Sequence, residues 1–155
     1  MKISSQDEYG LRILIRIARA DAELGLSIPQ LSEMENMSEP YVGKITRNLR
    51  LAGLVQSTRG HKGGYVLAKP MEEITINEVL TALGGKLFDQ SFCGTHAGVG
   101  KLCTNSVDCS VRSLWKMVQF TLDNLLEKVT LADLMSTESE SNQQLKNILL
   151  QGQNN

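Results

Sequence analysis

The sequence predicts a mainly α-helical fold, a winged helix-turn-helix with a two-stranded wing and a long dimerisation helix. Three observations predict this fold. A short helix, a tight turn and a longer basic helix follow one another between residues 27 and 51. Two β-rich segments come directly afterwards and flank a glycine-rich stretch. A seven-residue apolar repeat then begins near residue 110.

The first three predicted helices carry clear local signals. Residues 5–20 alternate apolar and basic positions at helical spacing, which predicts an amphipathic helix with a wide buried face. A second helix is predicted after Ser27, because a capping box with proline in its first turn begins there. The third is predicted from Ser38 to about Leu51, shortly before a glycine.

A hairpin follows the third helix. Residues 54–58 and 65–68 read as two short strands, and residues 59–64 between them are glycine-rich and basic. A hairpin in this position is a wing, and its glycines allow the tip to approach another backbone closely. The sequence therefore predicts a hairpin with a basic tip directly after the third helix.

The charge distribution indicates which half of the chain binds nucleic acid. Residues 1–70 carry ten Lys and Arg against seven Asp and Glu, whereas residues 71–155 carry six against ten. Residues 41–71 contain six basic residues and no acid, which is the pattern expected for binding to a phosphate backbone. The predicted DNA contacts are Ser38, Tyr41, Lys44, Arg47 and Asn48 on the third helix and Arg59, Gly60, His61 and Lys62 in the wing.

The second half of the chain is predicted to contain a linking helix, a loop, a dimerisation helix and a tail. A capping box at Thr75 opens a helix to about Leu83, and residues 86–109 are predicted to form a loop. The long helix that follows has the repeat of a coiled-coil seam, which predicts a homodimer. A short helix is expected at 131–135, before a flexible tail. The predicted seam residues are Val111, Trp115, Val118, Leu122, Leu125 and Val129.

These elements divide the chain into four segments. Residues 1–70 are the predicted DNA-binding domain and 71–109 the linking helix and cysteine loop. Residues 110–135 hold the dimerisation helix and the short helix, and 136–155 form a tail expected to be mobile except around 145–150. Neither a signal peptide nor a membrane-spanning pattern is present, so a cytoplasmic protein is expected. No redox C-x-x-C motif or Cys/His pair supports an enzyme.

Three cysteines form the main cluster of chemically reactive residues. Cys93, Cys103 and Cys109 lie within seventeen residues, with His96 between the first two. An odd number of cysteines in a cytosolic chain argues against a disulfide framework. Three thiolates can converge on a soft metal centre, either zinc or an iron–sulfur cluster, although the spacing lacks the C-x2-C of a zinc ribbon. A fourth ligand would be of another type, such as His96, or come from another chain.

The chain resembles the IscR/NsrR/RirA family of iron–sulfur regulators over roughly residues 1–135. The resemblance is carried by Tyr-Gly-Leu-Arg at 9–12, Ala-Gly-Leu-Val at 52–55, the glycine-rich wing at 59–68 and Thr-Leu-Ala-Asp-Leu at 130–134. It implies a homodimeric repressor or activator that binds a roughly palindromic site in double-stranded DNA. It also implies a [2Fe-2S] or [4Fe-4S] cluster held by the three cysteines and responsive to iron supply, oxidants or nitric oxide.

The resemblance also suggests the fourth ligand. Arg112 stands where members that regulate cluster biogenesis carry a histidine. The nitric-oxide-sensing branch instead uses a carboxylate from the first helix of the other protomer, which implies Glu8 of the partner subunit; His96 is the alternative. Cluster damage is expected to move the loop 86–109 and so change operator affinity. The competing hypothesis is a cluster-free member regulated by a protein or small-molecule partner.

Overall fold

A computed structural model of the chain describes residues 3–58, 63–89, 91–97, 99 and 103–152. These residues form a mainly helical fold with one two-stranded antiparallel sheet, which confirms the predicted fold class. Single turns of 3-10 helix lie at Met71–Glu73 and Ala132–Leu134. The regular elements are α1 (Ser5–Arg19), α2 (Ile28–Glu35), α3 (Glu39–Leu51), β1 (Val55–Ser57), β2 (Tyr65–Leu67), α4 (Ile76–Leu83), α5 (Ser91–Thr95), α6 (Ser110–Leu126) and α7 (Glu138–Gly152).

Capping boxes set the starts of three helices. Ser27 and Thr75 each accept a hydrogen bond from the backbone N–H three residues on, and the side chain of that residue accepts one in return. Both boxes were predicted from the sequence. A third box, between Ser4 and Asp7, begins α1 and was not predicted. The starts of α1, α2 and α4 therefore follow from local sequence.

Helix α1 lies at the centre of the core. It contacts α2, α3, α4 and β2, and its closest approach is to α4 at Gly10, where any Cβ would overlap the side chain of Leu83. Glycine at position 10 therefore leaves room for the buried Leu83 side chain, which any larger residue would force to move. The buried cluster around α1 comprises Ile13, Leu14, Ile17, Leu31, Val42, Ile45, Leu49, Leu54, Val55, Ile74, Val79, Leu83 and Leu131.

The wing is joined to the helical core on both sides. Strand β1 pairs with β2 in antiparallel register, and the backbone of Tyr65 exchanges two hydrogen bonds with that of Leu26, before α2, at 2.8 and 3.1 Å. After β2, Lys69 Nζ lies 2.9 Å from both carboxylate oxygens of Glu78 on α4. The hydrogen bond from Lys69 holds the pKa of Glu78 below its ordinary value.

A buried carboxylate joins α1 to the end of α2. The Glu35 side chain is 2% exposed, and it pairs with Arg12 at 2.5 Å and Arg16 at 2.7 Å, both from α1. The sequence analysis did not single out Glu35, because its spacing within α2 does not show that α1 will place two guanidinium groups beside it. These ion pairs hold the C-terminal end of α2 against α1, directly before the turn that leads to α3.

The long helix is shorter than the predicted seam. Helix α6 ends at Leu126, so Val129 does not belong to the seam, and that prediction was wrong. Val129 is buried within its own chain, and its carbonyl accepts a 2.8 Å hydrogen bond from the N–H of Ile76. The N–H of Leu131 likewise donates to the carbonyl of Ile74 at 2.8 Å. Backbone pairing with the segment before α4 therefore ends the helix.

Three further segments differ from the sequence-based expectation. The segment 86–109 contains a short helix, α5, rather than loop alone. The expected short helix at 131–135 is a single 3-10 turn, started by Thr130, whose N–H and hydroxyl both donate to the Asp133 carboxylate. The tail is helical over Glu138–Gly152, beyond the stretch of 145–150 where order was expected. Among the described residues, no helix is long and apolar enough to cross a membrane.

The pairing at Glu35 generates a stability prediction. We expect Glu35→Ala to lower the free energy of unfolding by about 2 kcal/mol, because it removes the buried partner of two arginines. The effect is moderate because both arginine side chains remain partly exposed to water. Urea unfolding followed by circular dichroism measures the change. Glu33→Ala, on the exposed face of the same helix, is the matched control and should change stability by less than about 0.5 kcal/mol. Equal effects of the two substitutions would contradict the structural role of Glu35.

Candidate nucleic-acid interface and cysteine cavity

Helix α3 presents basic side chains to solvent. The inner face of α3 is buried through Val42, Ile45 and Leu49, so the opposite face is left free for a partner. Lys44 and Arg47 are exposed on that face, as is Ser38 at the start of the helix. The remaining predicted contacts on α3, Tyr41 and Asn48, are half-buried.

Tyr41 is also held by α1. Its ring packs edge-to-face against the ring of Tyr9, with centroids 6.1 Å apart, and its hydroxyl lies 3.5 Å from Ser5 Oγ. The guanidinium of Arg12 lies 5.5 Å from the centre of the Tyr9 ring and also pairs with Glu35. The orientation of α3 is thus tied to α1 by an aromatic contact that the sequence analysis missed.

The wing tip predicted to contact DNA lies outside the described residues. Arg59, Gly60, His61 and Lys62 were the predicted contacts there, and they stay predictions. The described residues on either side close the hairpin, because the N–H of Thr58 donates to the carbonyl of Gly64 at 2.8 Å. The N–H of Gly64 donates in turn to the Thr58 hydroxyl at 2.8 Å.

The three cysteines line one cavity. Cys93 comes from α5, Cys103 from the following loop and Cys109 from the residue before α6, and together they surround a space of about 210 Å³. Each thiol is half-buried and none forms a disulfide. The space is far larger than a single water molecule needs, which is roughly 10–15 Å³ on the same kind of measure.

The start of α6 forms one wall of this cavity. Cys109 is the N-cap of the helix, and its Sγ accepts a 3.3 Å hydrogen bond from the backbone N–H of Arg112. The Arg112 side chain also lines the cavity, and its guanidinium donates to the carbonyl of Ser106 at 3.0 Å. A group bound at Cys109 would therefore lie beside the N-terminus of α6 and the Arg112 side chain.

The two candidates for a fourth ligand do not line this cavity within one chain. His96 is exposed and stacks on Phe92, with ring centroids 3.9 Å apart, and its Nδ1 lies 3.0 Å from the carbonyl of Phe92. Glu8 is exposed on the first turns of α1. Within the described part of the chain, no three His, Cys, Asp or Glu side chains are placed to hold a single metal ion.

Helix α6 exposes most of its large apolar side chains. None of its seventeen residues is buried, and within the predicted seam Val111 is 60% exposed and Trp115 is 41% exposed. Val118, Leu122 and Leu125 are half-buried against their own chain. The apolar surface is wider than the predicted seam, because Leu114, Met117 and Phe120 are also exposed.

Comparison with known proteins identifies the family. The Rrf2 family model, described as an iron-dependent transcriptional regulator, matches residues 3–137. The chain belongs to the Rrf2 family. It is therefore a helix-turn-helix transcription regulator that binds DNA and is not an enzyme, as the sequence predicted. Helix α7 lies beyond the matched residues.

Curated relatives and solved structures agree with this assignment. The transcriptional regulator CymR of Bacillus subtilis is 32% identical over 136 residues, which cover 88% of this chain and 91% of the relative. Protein rrf2 of Nitratidesulfovibrio vulgaris is 32% identical over 139 residues, which cover 90% of each. The solved structure of T. potens IscR matches with a TM-score of 0.64 and 29% identity, covering 87% of this chain and 86% of that one. The structure of B. subtilis CymR, the global cysteine regulator, matches with a TM-score of 0.65, covering 87% and 96%.

Proposed function

We propose that this Rrf2-family regulator works as a homodimer whose operator affinity depends on an iron–sulfur cluster, and through it on iron supply, redox state or nitric oxide. One observation carries the proposal. Three cysteines that are separated in sequence line a single cavity at the start of the helix whose apolar face is exposed. The proposed sensing site therefore adjoins the helix that carries the proposed dimer interface.

The geometry of α3 supports reading of a major groove. Its buried face anchors the helix, and its outer face presents Lys44 and Arg47 with no acidic side chain between Tyr41 and Met71. Basic side chains on such a helix can contact base edges or phosphates. Two copies related by a two-fold axis would read a roughly palindromic operator.

The exposed apolar face of α6 supports a dimer of this chain. Large apolar side chains such as Val111 and Trp115 are costly to leave in water along a whole helix. A second α6 would bury them by the packing that a seven-residue repeat specifies. A homodimer is also what a symmetric operator requires.

The donor set of the cysteine cavity fits an iron–sulfur cluster. Cys93, Cys103 and Cys109 would supply three thiolates, which are the usual protein ligands of such clusters. A bound cluster would supply redox and nitric oxide reactivity at this position. The protein contributes the capping N–H of Arg112 and the polarity of the helix start, both of which stabilise thiolate charge.

Two contacts would couple the cysteine cavity to DNA binding. Cys109 caps α6, so any change of charge at its sulfur acts directly on the first turn of that helix. Glu8 of the partner subunit is our proposed fourth ligand, and in each chain Glu8 precedes Tyr9, which packs on Tyr41 of α3. A displacement of the start of α1 would therefore reach the recognition helix through one aromatic contact.

A cluster-free regulator is the second candidate. It is favoured by the stacking of His96 on Phe92 rather than in the cavity wall, and by the lack of a three-residue group, in the described ranges, that could hold one metal ion. In that case the cavity cysteines would be free thiols, and a protein or small-molecule partner would provide the signal.

The α3 surface generates a DNA-binding prediction. We expect Lys44→Ala and Arg47→Ala each to weaken binding about tenfold or more at about 150 mM salt, because each removes a cationic contact from both protomers. Fluorescence anisotropy measures this on a duplex selected by the protein from a random pool. Lys146→Ala removes an exposed charge on α7 and should leave affinity unchanged. Unchanged binding by both α3 variants would refute the assignment of this face.

The α6 surface generates an assembly prediction. We expect Trp115→Glu to convert the dimer to a monomer, because it places a charge in the centre of the proposed seam. Sedimentation velocity over a dilution series measures the change. Lys116→Glu, at the neighbouring position, makes a change on α6 outside the predicted seam and should leave the dimer intact. A wild-type protein that is monomeric at every concentration would contradict the proposal.

The cysteine cavity generates a cofactor prediction. After anaerobic purification, we expect wild-type protein to contain iron and acid-labile sulfide, and Cys93→Ser, Cys103→Ser and Cys109→Ser each to lose most of both. Ser106→Ala, in the same cavity wall, should retain them. Native mass spectrometry of Glu8→Ala and His96→Ala then identifies the fourth ligand by which substitution lowers cluster content. Colourless, iron-free wild-type protein would favour the cluster-free regulator.

A further inference from the structure

A second cavity, away from the cysteines, lies between α1, α4 and α6. Its volume is about 300 Å³, which is at the lower end of the range for small-molecule sites. Leu80 and Leu126, neither of which belongs to the predicted seam, supply apolar surface, whereas Asp7 and Lys86 supply opposite charges. The cavity thus combines an apolar lining with a few polar groups, as ligand sites do.

Asp7, which lines this cavity, has one carboxylate oxygen without a hydrogen-bond donor among the described residues. Its Oδ2 accepts from the N–H and the hydroxyl of Ser4, which caps α1. Its Oδ1 is buried and receives no hydrogen bond from any residue that the structure describes. A buried carboxylate oxygen without a donor destabilises a fold, so a donor from outside the chain would compensate for this cost.

The surroundings of Asp7 indicate the chemistry of that donor. A Cβ at Gly85 would lie 2.9 Å from Asp7 Oδ1, so glycine allows the carboxylate to remain at this wall. A second carboxylate, Asp123 of α6, lines the same cavity and accepts from Gln119 Nε2 at 2.7 Å. Two carboxylates against one lysine favour a cation, and an ammonium group carries three N–H donors.

We propose that this cavity binds a small primary ammonium compound with an apolar body. The ammonium would donate to Asp7 Oδ1, and the apolar body would lie on the leucines of α4 and α6. Water alone would leave this apolar lining hydrated. Two classes of compound carry such an ammonium group: a simple amine, and an amino acid whose carboxylate would pair with Lys86. The ligand would join the DNA-binding domain to α6 and does not require a cluster.

The binding test uses matched compounds on the full-length protein. The test set consists of apolar amino acids from alanine to phenylalanine. Each amino acid is compared with the corresponding amine, which lacks the carboxylate, and with the corresponding carboxylic acid, which lacks the ammonium group. All compounds are used at about 5 mM. We expect at least one amino acid or amine to raise the melting temperature by about 3 °C or more, as occupancy at tenfold above Kd would. The matching acid should have no effect. Stabilisation by acids alone, or by none of the compounds, would overturn the proposal.

Variants locate the site and separate the two sources. Asp7→Asn keeps an oxygen that can cap α1 but removes the charge, so it should abolish the shift, while its own melting temperature without ligand should not fall. Glu72→Gln makes the same change at an exposed position and should retain the shift. Loss of the shift in Lys86→Ala for amino acids but not for amines would identify amino acids as the ligand. If the ligand raised the melting temperature of Asp7→Asn as much as that of wild type, the proposal would be overturned. This outcome does not depend on whether the protein dimerises, binds DNA or holds a cluster.

Discussion

The close packing of α1 on α4 at Gly10 is the constraint on which the other elements depend. With the α1 axis held there, its remaining faces orient the DNA-binding elements. Arg12 and Arg16 hold Glu35 at the end of α2, and Tyr9 holds Tyr41 on α3. A larger residue at position 10 would require either a move of the buried Leu83 side chain or a shift of α1 from α4, and a shift of α1 would disturb these contacts.

Helix α6, unlike the central helix α1, is attached to the rest of the described chain only at its ends and along one side. Before it, the cysteine cavity surrounds its N-cap; after it, residues 129–131 pair with residues 74–76. Between these attachments, none of the helix is fully buried. A helix attached in this way can shift at modest cost, because few of its contacts lie in the close-packed core. That property is consistent with our proposal that α6 links the cysteine cavity to the DNA-binding domain.

Local sequence signals predicted much of the fold correctly, and their failures have identifiable causes. The capping boxes at Ser27 and Thr75 were found because their hydrogen bonds span only three residues. Val129 was misassigned because its spacing continues the heptad, while the pairing that removes it from the helix involves residues more than fifty positions earlier. The polar composition of the tail likewise gave no indication of α7, part of which packs on the 3-10 turn at Ala132–Leu134.

The sequence by itself determined the order of elements, the basic face of α3 and the presence of three cysteines, because periodicity, capping and charge are properties of neighbouring residues. Only the tertiary structure brought those cysteines around one cavity, stacked His96 on Phe92 outside the cavity wall and buried Glu35 beside two arginines. It also created the cavity at Asp7, whose walls come from three helices. Each of these features depends on contacts between residues distant in the chain, and such contacts follow from packing rather than from spacing.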